Sequence, residues 1–280
     1  MPTLDLPDFA MPFEVHGERG GPVLLLGGTG MPGFVWQMSQ VPALLAAGFR
    51  CVTFDTRGVA AGSPPGPYTV AQLADDAVAL IAHLDVAPVH LVGVSQGGFA
   101  AERLAHVRPD LVDTVTLIAS AGATTAYTRA WAQGWQDLLA SGLPIPQSLF
   151  VSDNLVHGLP LSVLQGDDAV VEKWLDMLVQ AQWTSPGMRG QYAACYQWLL
   201  TDDHDSRRSV MDMPCLVLAF EHDVHFPPRS GEQAAARMPR GEFRAVGGVG
   251  HVDGLFEAAD PINAALVDFL GRHAGTGPRT

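Results

Sequence analysis

Residues 88–106, Pro-Val-His-Leu-Val-Gly-Val-Ser-Gln-Gly-Gly-Phe-Ala-Ala-Glu-Arg-Leu-Ala-His, read as a buried strand, a sharp turn and a helix in immediate succession. Val89, Leu91, Val92 and Val94 form an apolar run that suits a strand covered on both faces. Phe99, Leu104 and their alanine neighbours continue with helical character. Between them lies Gly93-x-Ser95-x-Gly97, whose glycines let two backbones approach where a Cβ would clash. A serine hydroxyl is a poor nucleophile at neutral pH. It becomes useful where such a turn holds it clear of the sheet, beside a base and near backbone N–H donors. The pentapeptide alone is a weak signal, because glycine-rich turns also carry bystander serines. The strand before it and the helix after it make the signal specific.

The same rhythm runs through most of the chain. Phe13–Glu18, Val23–Leu26, Arg50–Phe54, Val112–Ile118, Met213–Phe220 and Phe243–Val246 are short apolar or strand-like runs. Helical spacing separates several of them, over Trp36–Ala47, in the stripe Leu73, Ala77, Leu80, Ile81 and Leu84 behind a Thr69 cap, and over Pro261–Leu270. Strands alternating with helices predict an α/β fold with a largely parallel sheet covered on both faces. Between Ala123 and Asp212 the rhythm stops and the chain is helical in character. The expected organisation is therefore a core of residues 1–122 and 213–280, with residues 123–212 inserted as a helical cap.

A serine nucleophile needs a base, and the base needs an orienting carboxylate. In an open α/β sheet these sit at the carboxyl ends of strands. Glu221-His-Asp223-Val-His-Phe-Pro-Pro228 follows one strand, and Gly247-Gly-Val-Gly-His251 follows the last. The order Ser95, Asp223, His251, with the glycine-flanked serine, the acid-then-proline loop and the Gly-x-Gly-His ending, resembles the alpha/beta-hydrolase superfamily from about Phe13 to Leu270. The resemblance implies Ser95 as nucleophile, His251 as base and Asp223 as its orienting acid, with Glu221 the competing carboxylate two residues away. It also implies two backbone donors for the oxyanion: the Gln96 amide at the helix start, and one from Gly27-Gly28-Thr29-Gly30. Thr29 matches the family's donating position, although the family's usual histidine is missing here, and Gly28 and Gly30 stand as alternatives. No cofactor is implied. The glycine loop lacks both the dinucleotide spacing and the P-loop lysine.

Other features narrow the class. Acidic residues outnumber basic ones 29 to 16, giving a net charge of −13, which disfavours nucleic acid or an anionic membrane as partner. One lysine, Lys173, stands against fifteen arginines. Cys51, Cys195 and Cys215 are scattered, and Cys51 and Cys215 sit in strand-like runs, so free thiols are expected. Glu221, His222, Asp223 and His225 lack metal-ligand spacing and read as one triad acid with solvated neighbours, so no metal is expected; Asp202–Asp205 reads as an exposed boundary. No signal peptide or membrane-length apolar run is visible, so a cytoplasmic monomer or homodimer is expected.

Five of the six tryptophans fall in the inserted segment, which carries five basic residues, Arg207 and Arg208 among them. Trp131, Trp135, Phe150 and Trp183, with Gly28, are the expected substrate contacts, and the expected partner is a small, bulky, hydrophobic ester or lactone. A polyketide-like metabolite would suit such a pocket. A carbon–carbon bond hydrolase, a thioesterase, a non-hydrolytic lyase or cyclase, and a ligand-binding receptor on the same scaffold are the alternatives, because fold and triad do not fix the reaction.

Overall fold

The computed structural model describes residues 1–122, 124–166, 168–180 and 185–274. Its eight strands are β1 Thr3–Asp5, β2 Ala10–His16, β3 Pro22–Leu26, β4 Arg50–Phe54, β5 Val89–Val94, β6 Val112–Ile118, β7 Cys215–Phe220 and β8 Gly241–Val246. They form one sheet in the order β1-β2-β4-β3-β5-β6-β7-β8. The β1–β2 and β2–β4 pairs are antiparallel, and every pair from β4 to β8 is parallel. Parallel neighbours need crossovers, and helices on both faces provide them. That is why β3, β4, β5 and β7 are buried almost continuously and are mostly apolar rather than alternating.

Successive residues still divide between the faces. Leu24, Leu26, Val52, Leu91 and Val217 meet helices α2 (Val70–Leu84), α3 (Gln96–Val107) and α10 (Pro228–Arg237) through Leu73, Leu80, Leu104 and Ala234. Val23, Leu25, Val92, Leu216 and Leu218 meet α1 (Gln40–Ala46) and α12 (Ala259–His273) through Val41, Leu44, Leu266 and Phe269. Helix α2 begins with a reciprocal capping box between Thr69 and Gln72, a device worth about 1 kcal/mol.

Three local differences from the sequence reading have physical causes. The first strand runs Ala10–His16 and is preceded by β1, a three-residue edge strand too short and exposed to carry an apolar signature. The helix expected over Trp36–Ala47 is broken into a 3₁₀ turn, Gly33–Met38, and α1, because the Pro42 ring would collide with the carbonyl of Met38 in a continuous helix. Asp202–Asp205 is not all solvent-exposed: His204 is 8% exposed and lies edge-on to Trp198, because the side chains behind it form a buried ion cluster. Within that cluster the Arg208 guanidinium donates to Glu102 at 3.0 and 3.1 Å and to the Gly122 carbonyl, tying the end of the inserted segment to α3.

That segment, between β6 and β7, contains helices α4 (Ala126–Ala140), α5 (Gln147–Gly158), α6 (Leu161–Leu164), α7 (Asp168–Gln180), α8 (Pro186–Leu199) and α9 (His204–Arg208). Trp135, Phe150, Tyr196 and Trp198 form an aromatic core there, which continues into Tyr68, Val70 and Phe99 on the sheet side. α11 (Gly254–Glu257) leads into α12. All three cysteines are free and buried, and burial pushes each thiol up to about 12. Among the described residues no helix is long and apolar enough to cross a membrane.

Candidate active site

β5 ends at Val94 and α3 begins at Gln96, so Ser95 alone makes the turn, with φ 50° and ψ −121°. A non-glycine residue held there costs about 1–3 kcal/mol and persists only where its surroundings over-determine it. The surroundings are backbone packed on backbone. A Cβ on Gly93 would lie 2.3 Å from the Gly97 carbonyl oxygen, and one on Gly97 would lie 2.1 Å from that of Leu26. The glycines are thus required by contact, and the strain at Ser95 follows from it.

Loops at the carboxyl ends of β7 and β8 bring two more groups to this turn. His251 Nε2 lies 3.0 Å from Ser95 Oγ, and His251 Nδ1 lies 2.7 Å from Asp223 Oδ2. The other Asp223 oxygen accepts the backbone N–H groups of His225 and Phe226 at 2.8 and 3.0 Å. Glu221 turns elsewhere, accepting the Gly248 N–H at 2.8 Å on the exposed rim. Burial works against the Asp223 carboxylate, but the His251 charge and hydrogen bond, with the Phe226 N–H, outweigh it and hold the group below the usual aspartate range. Burial likewise disfavours a charged His251; the Asp223 carboxylate overcomes this and holds the imidazole above the ordinary histidine value. An alkoxide forming at Ser95 would therefore have a proton acceptor in contact, with its imidazolium stabilised from behind.

The loop after β3 closes the other side. A Cβ on Gly28 would sit 3.5 Å from Ser95 Cβ, so this backbone is in contact with the serine. Of the three amides considered for the oxyanion, that of Gly30 is committed to Gln191 Oε1 at 2.6 Å. Thr29 and Gly28 remain as candidates to complement the first amide of α3, that of Gln96. The Thr29 hydroxyl is 3.2 Å from Cys195 Sγ.

The expected aromatic contacts separate. Trp131 reaches the triad loops, its ring centroid 4.2 Å from that of His225, which is itself 5.3 Å from His251. Trp135 and Phe150, 8% and 2% exposed, lie in the core of the inserted segment, against Tyr196 and Tyr192. Trp183 lies outside the described residues. His225, read from sequence as a solvated neighbour of the acid, is instead 8% exposed. Burial and the nearby His251 push it down to about 3, so it stays neutral. Its sequence signal was present, since it shares the acid loop, but nothing local distinguished it from exposed His222. Gln191 and Cys195, on α8, gave no signal as site residues at all. Among the described residues, no group of three or more His, Cys, Asp or Glu side chains is placed to hold a metal ion.

The family model for the alpha/beta hydrolase fold matches residues 21–258. A relative from Mycobacterium tuberculosis named "Putative non-heme bromoperoxidase BpoC" is 34% identical over 254 residues, covering 90% of this chain and 94% of that one. The crystal structure under that name superimposes with a TM-score of 0.82 at 33% identity, over 94% of this chain and 96% of that one. The 3-oxoadipate enol-lactonase 2 of Acinetobacter baylyi is 28% identical over 226 residues, 79% of each chain. With a family model spanning most of its length and relatives alike over nearly all of it, the chain belongs to the alpha/beta-hydrolase family.

Proposed function

We propose that this protein is a serine hydrolase that cleaves a carboxylic ester or lactone of a bulky, apolar substrate through an acyl-enzyme. One observation carries the reading: the unbroken contact from Ser95 Oγ to His251 Nε2 at 3.0 Å and from His251 Nδ1 to Asp223 at 2.7 Å. In this mechanism Ser95 attacks the acyl carbon while His251 takes its proton. Asp223 keeps the Nδ1 proton in place and stabilises the imidazolium. The oxygen that becomes negative is held by the amides of Gln96 and Thr29, at the positive end of α3. His251 returns the proton to the leaving alcohol, and water then releases the acid by the same steps in reverse.

The substrate class rests on the surroundings. Trp131 and Tyr127 both pack against His225, giving an aromatic wall beside the triad. Arg207 and Arg208, two of the segment's basic residues, are spent on Asp203 and Glu102, so they offer nothing to a substrate carboxylate. A relative named as an enol-lactonase supports the lactone option. A fluorophosphonate probe should label the wild type and not Ser95→Ala; an unlabelled wild type overturns the nucleophile. A panel of esters and lactones then ranks chain length and charge, and faster turnover of acetate or charged esters overturns the apolar class. The relative's name adds a second reading, tested by a bromide and peroxide assay. Halogenation that survives Ser95→Ala would favour it over hydrolysis.

A further inference from the structure

Met188, Gln191 and Cys195 occur at steps of three and four along α8, so they share one helix face. All three meet the loop that bears the candidate oxyanion amide. A Cβ on Gly30 would lie 2.7 Å from the Met188 thioether, and Cys195 Sγ lies 3.2 Å from both the Thr29 hydroxyl and Gln96 Nε2.

Gln191 is the centre of the arrangement. It is fully buried, and its side-chain oxygen accepts the Gly30 N–H at 2.6 Å. Its side-chain nitrogen donates to Thr56 Oγ1 at 2.9 Å and to the Arg57 carbonyl at 2.7 Å. Its backbone carbonyl accepts from Gln96 Nε2 at 2.6 Å. A primary amide has two donors and one acceptor oxygen, and here both ends are used. Rotating the amide by half a turn would set N–H against N–H at Gly30 and oxygen against oxygen at Arg57, so its orientation is fixed.

Those contacts join the loops after β3, β4 and β5 at one point, next to Ser95. The helix is also seated too closely to shift. A Cβ on Gly187 would lie 2.4 Å from the Gly58 carbonyl oxygen, and one on Gly190 would lie 2.9 Å from Gly66 Cα.

We propose that Gln191 is a positioning residue for the oxyanion site. Its side chain places the Thr29 amide by holding the next amide in the chain, while its backbone carbonyl and the Cys195 thiol beside it on α8 fix the Gln96 side chain and the Thr29 hydroxyl. The inference rests on the acyl-enzyme reading of Ser95. Its effect belongs to the transition state, because the negative oxygen exists only there.

Three variants test it: Gln191→Met, which keeps length and burial but removes the amide, and the pair Cys195→Ala and Cys195→Ser. Each is titrated with a fluorophosphonate, so that kcat is expressed per reactive site. Ester turnover is then measured alongside inhibition by an alkyl boronic acid, whose tetrahedral adduct mimics the oxyanion. Gln191→Met should lower kcat about 10- to 100-fold, less than outright loss of a donor, with KM within about threefold. Boronate affinity should fall in parallel with kcat/KM. Cys195→Ala should lose about threefold in kcat, and Cys195→Ser should recover most of it. An unchanged kcat per titrated site with a lower melting temperature overturns the proposal, as does a rise in KM alone. If Gln191→Met does not fold, the Cys195 pair decides, and equal kcat values for the two overturn it. A wild type that neither reacts with the probe nor turns over any ester removes the acyl-enzyme reading, and this inference with it.

Discussion

Helices α7 and α8 belong to the same inserted stretch of chain, yet they are held in different ways. α8 buries Met188, Gly190, Gln191, Ala194, Cys195, Tyr196, Trp198 and Leu199, and its glycines rest on the backbone of the loop after β4. α7 buries Trp174 and Leu178, while Val170, Met177 and Val179 are 42%, 41% and 48% exposed. Trp174 meets Phe256, on the short helix beyond His251, edge-on at 5.8 Å. The difference teaches that position in sequence does not assign a helix to a mechanical unit. By its contacts α8 is tied to the loops that surround Ser95, whereas α7 covers the molecule from outside.

The contrast can be broken most directly at its inner end. Ser95→Ala should remove about 10⁴- to 10⁶-fold of the turnover with the melting temperature nearly unchanged, since the hydroxyl serves chemistry rather than packing. Residual activity above about a tenth of wild type would sink the assignment of the nucleophile. Asp223→Asn should cost about 10³- to 10⁴-fold and also move the pH profile. The reacting form needs neutral His251, so kcat/KM should rise with pH through a midpoint above the ordinary histidine value of about 6.5. Without the Asp223 charge, burial dominates and that midpoint should shift downward; a profile that stays in place would show that His251 is not the titrating base.

Intermediate effects test how α8 is seated. Gly187→Ala puts a methyl against the Gly58 carbonyl, and overpacking of this kind costs about 1–3 kcal/mol. Loss of stability should come with a fall in kcat, because the helix face that carries Gln191 must shift. A destabilised variant with unaltered kcat would mean that α8 and the oxyanion loop are not one unit. The smallest effects belong to α7. Val179→Ser and Met177→Gln should change stability by no more than about 0.5 kcal/mol. Their turnover should equal that of wild type, and a drop comparable to the Gly187 variant would abolish the contrast.

Much of this arrangement was legible before any coordinates. Strands buried on both faces are dominated by apolar residues, so β3, β4, β5 and β7 stood out as short runs despite buried Thr53 and His90. Edge strand β1 is solvated and left no such trace. Ser95 and His251 announced themselves because close backbone approach forces glycines beside them, and that requirement is written locally. The choice between Glu221 and Asp223 was not local: two residues apart on one loop, they differ in which group each can reach. Composition marked Trp131 and Trp135 alike as aromatic residues of the inserted segment, but only the depth of each along α4 decides which meets His225. Gln191 had no legible signature. Its partners Gly30, Thr56 and Gln96 lie 161, 135 and 95 residues away in sequence, and a glutamine in a helix is ordinarily a solvent-facing residue.

The single lysine, Lys173, sits exposed on α7, while the three thiols lie buried, and burial disfavours the reactive thiolate at each. Reagent selectivity is thereby built into the native chain. An amine-reactive dye addresses only the outer helix and the chain's amino terminus, and a cysteine introduced on the surface would take a maleimide without competition. A donor and an acceptor can be attached to α7 and to any chosen surface loop without first stripping native residues. Distance changes during turnover then become a spectroscopic question that one added surface cysteine is enough to open.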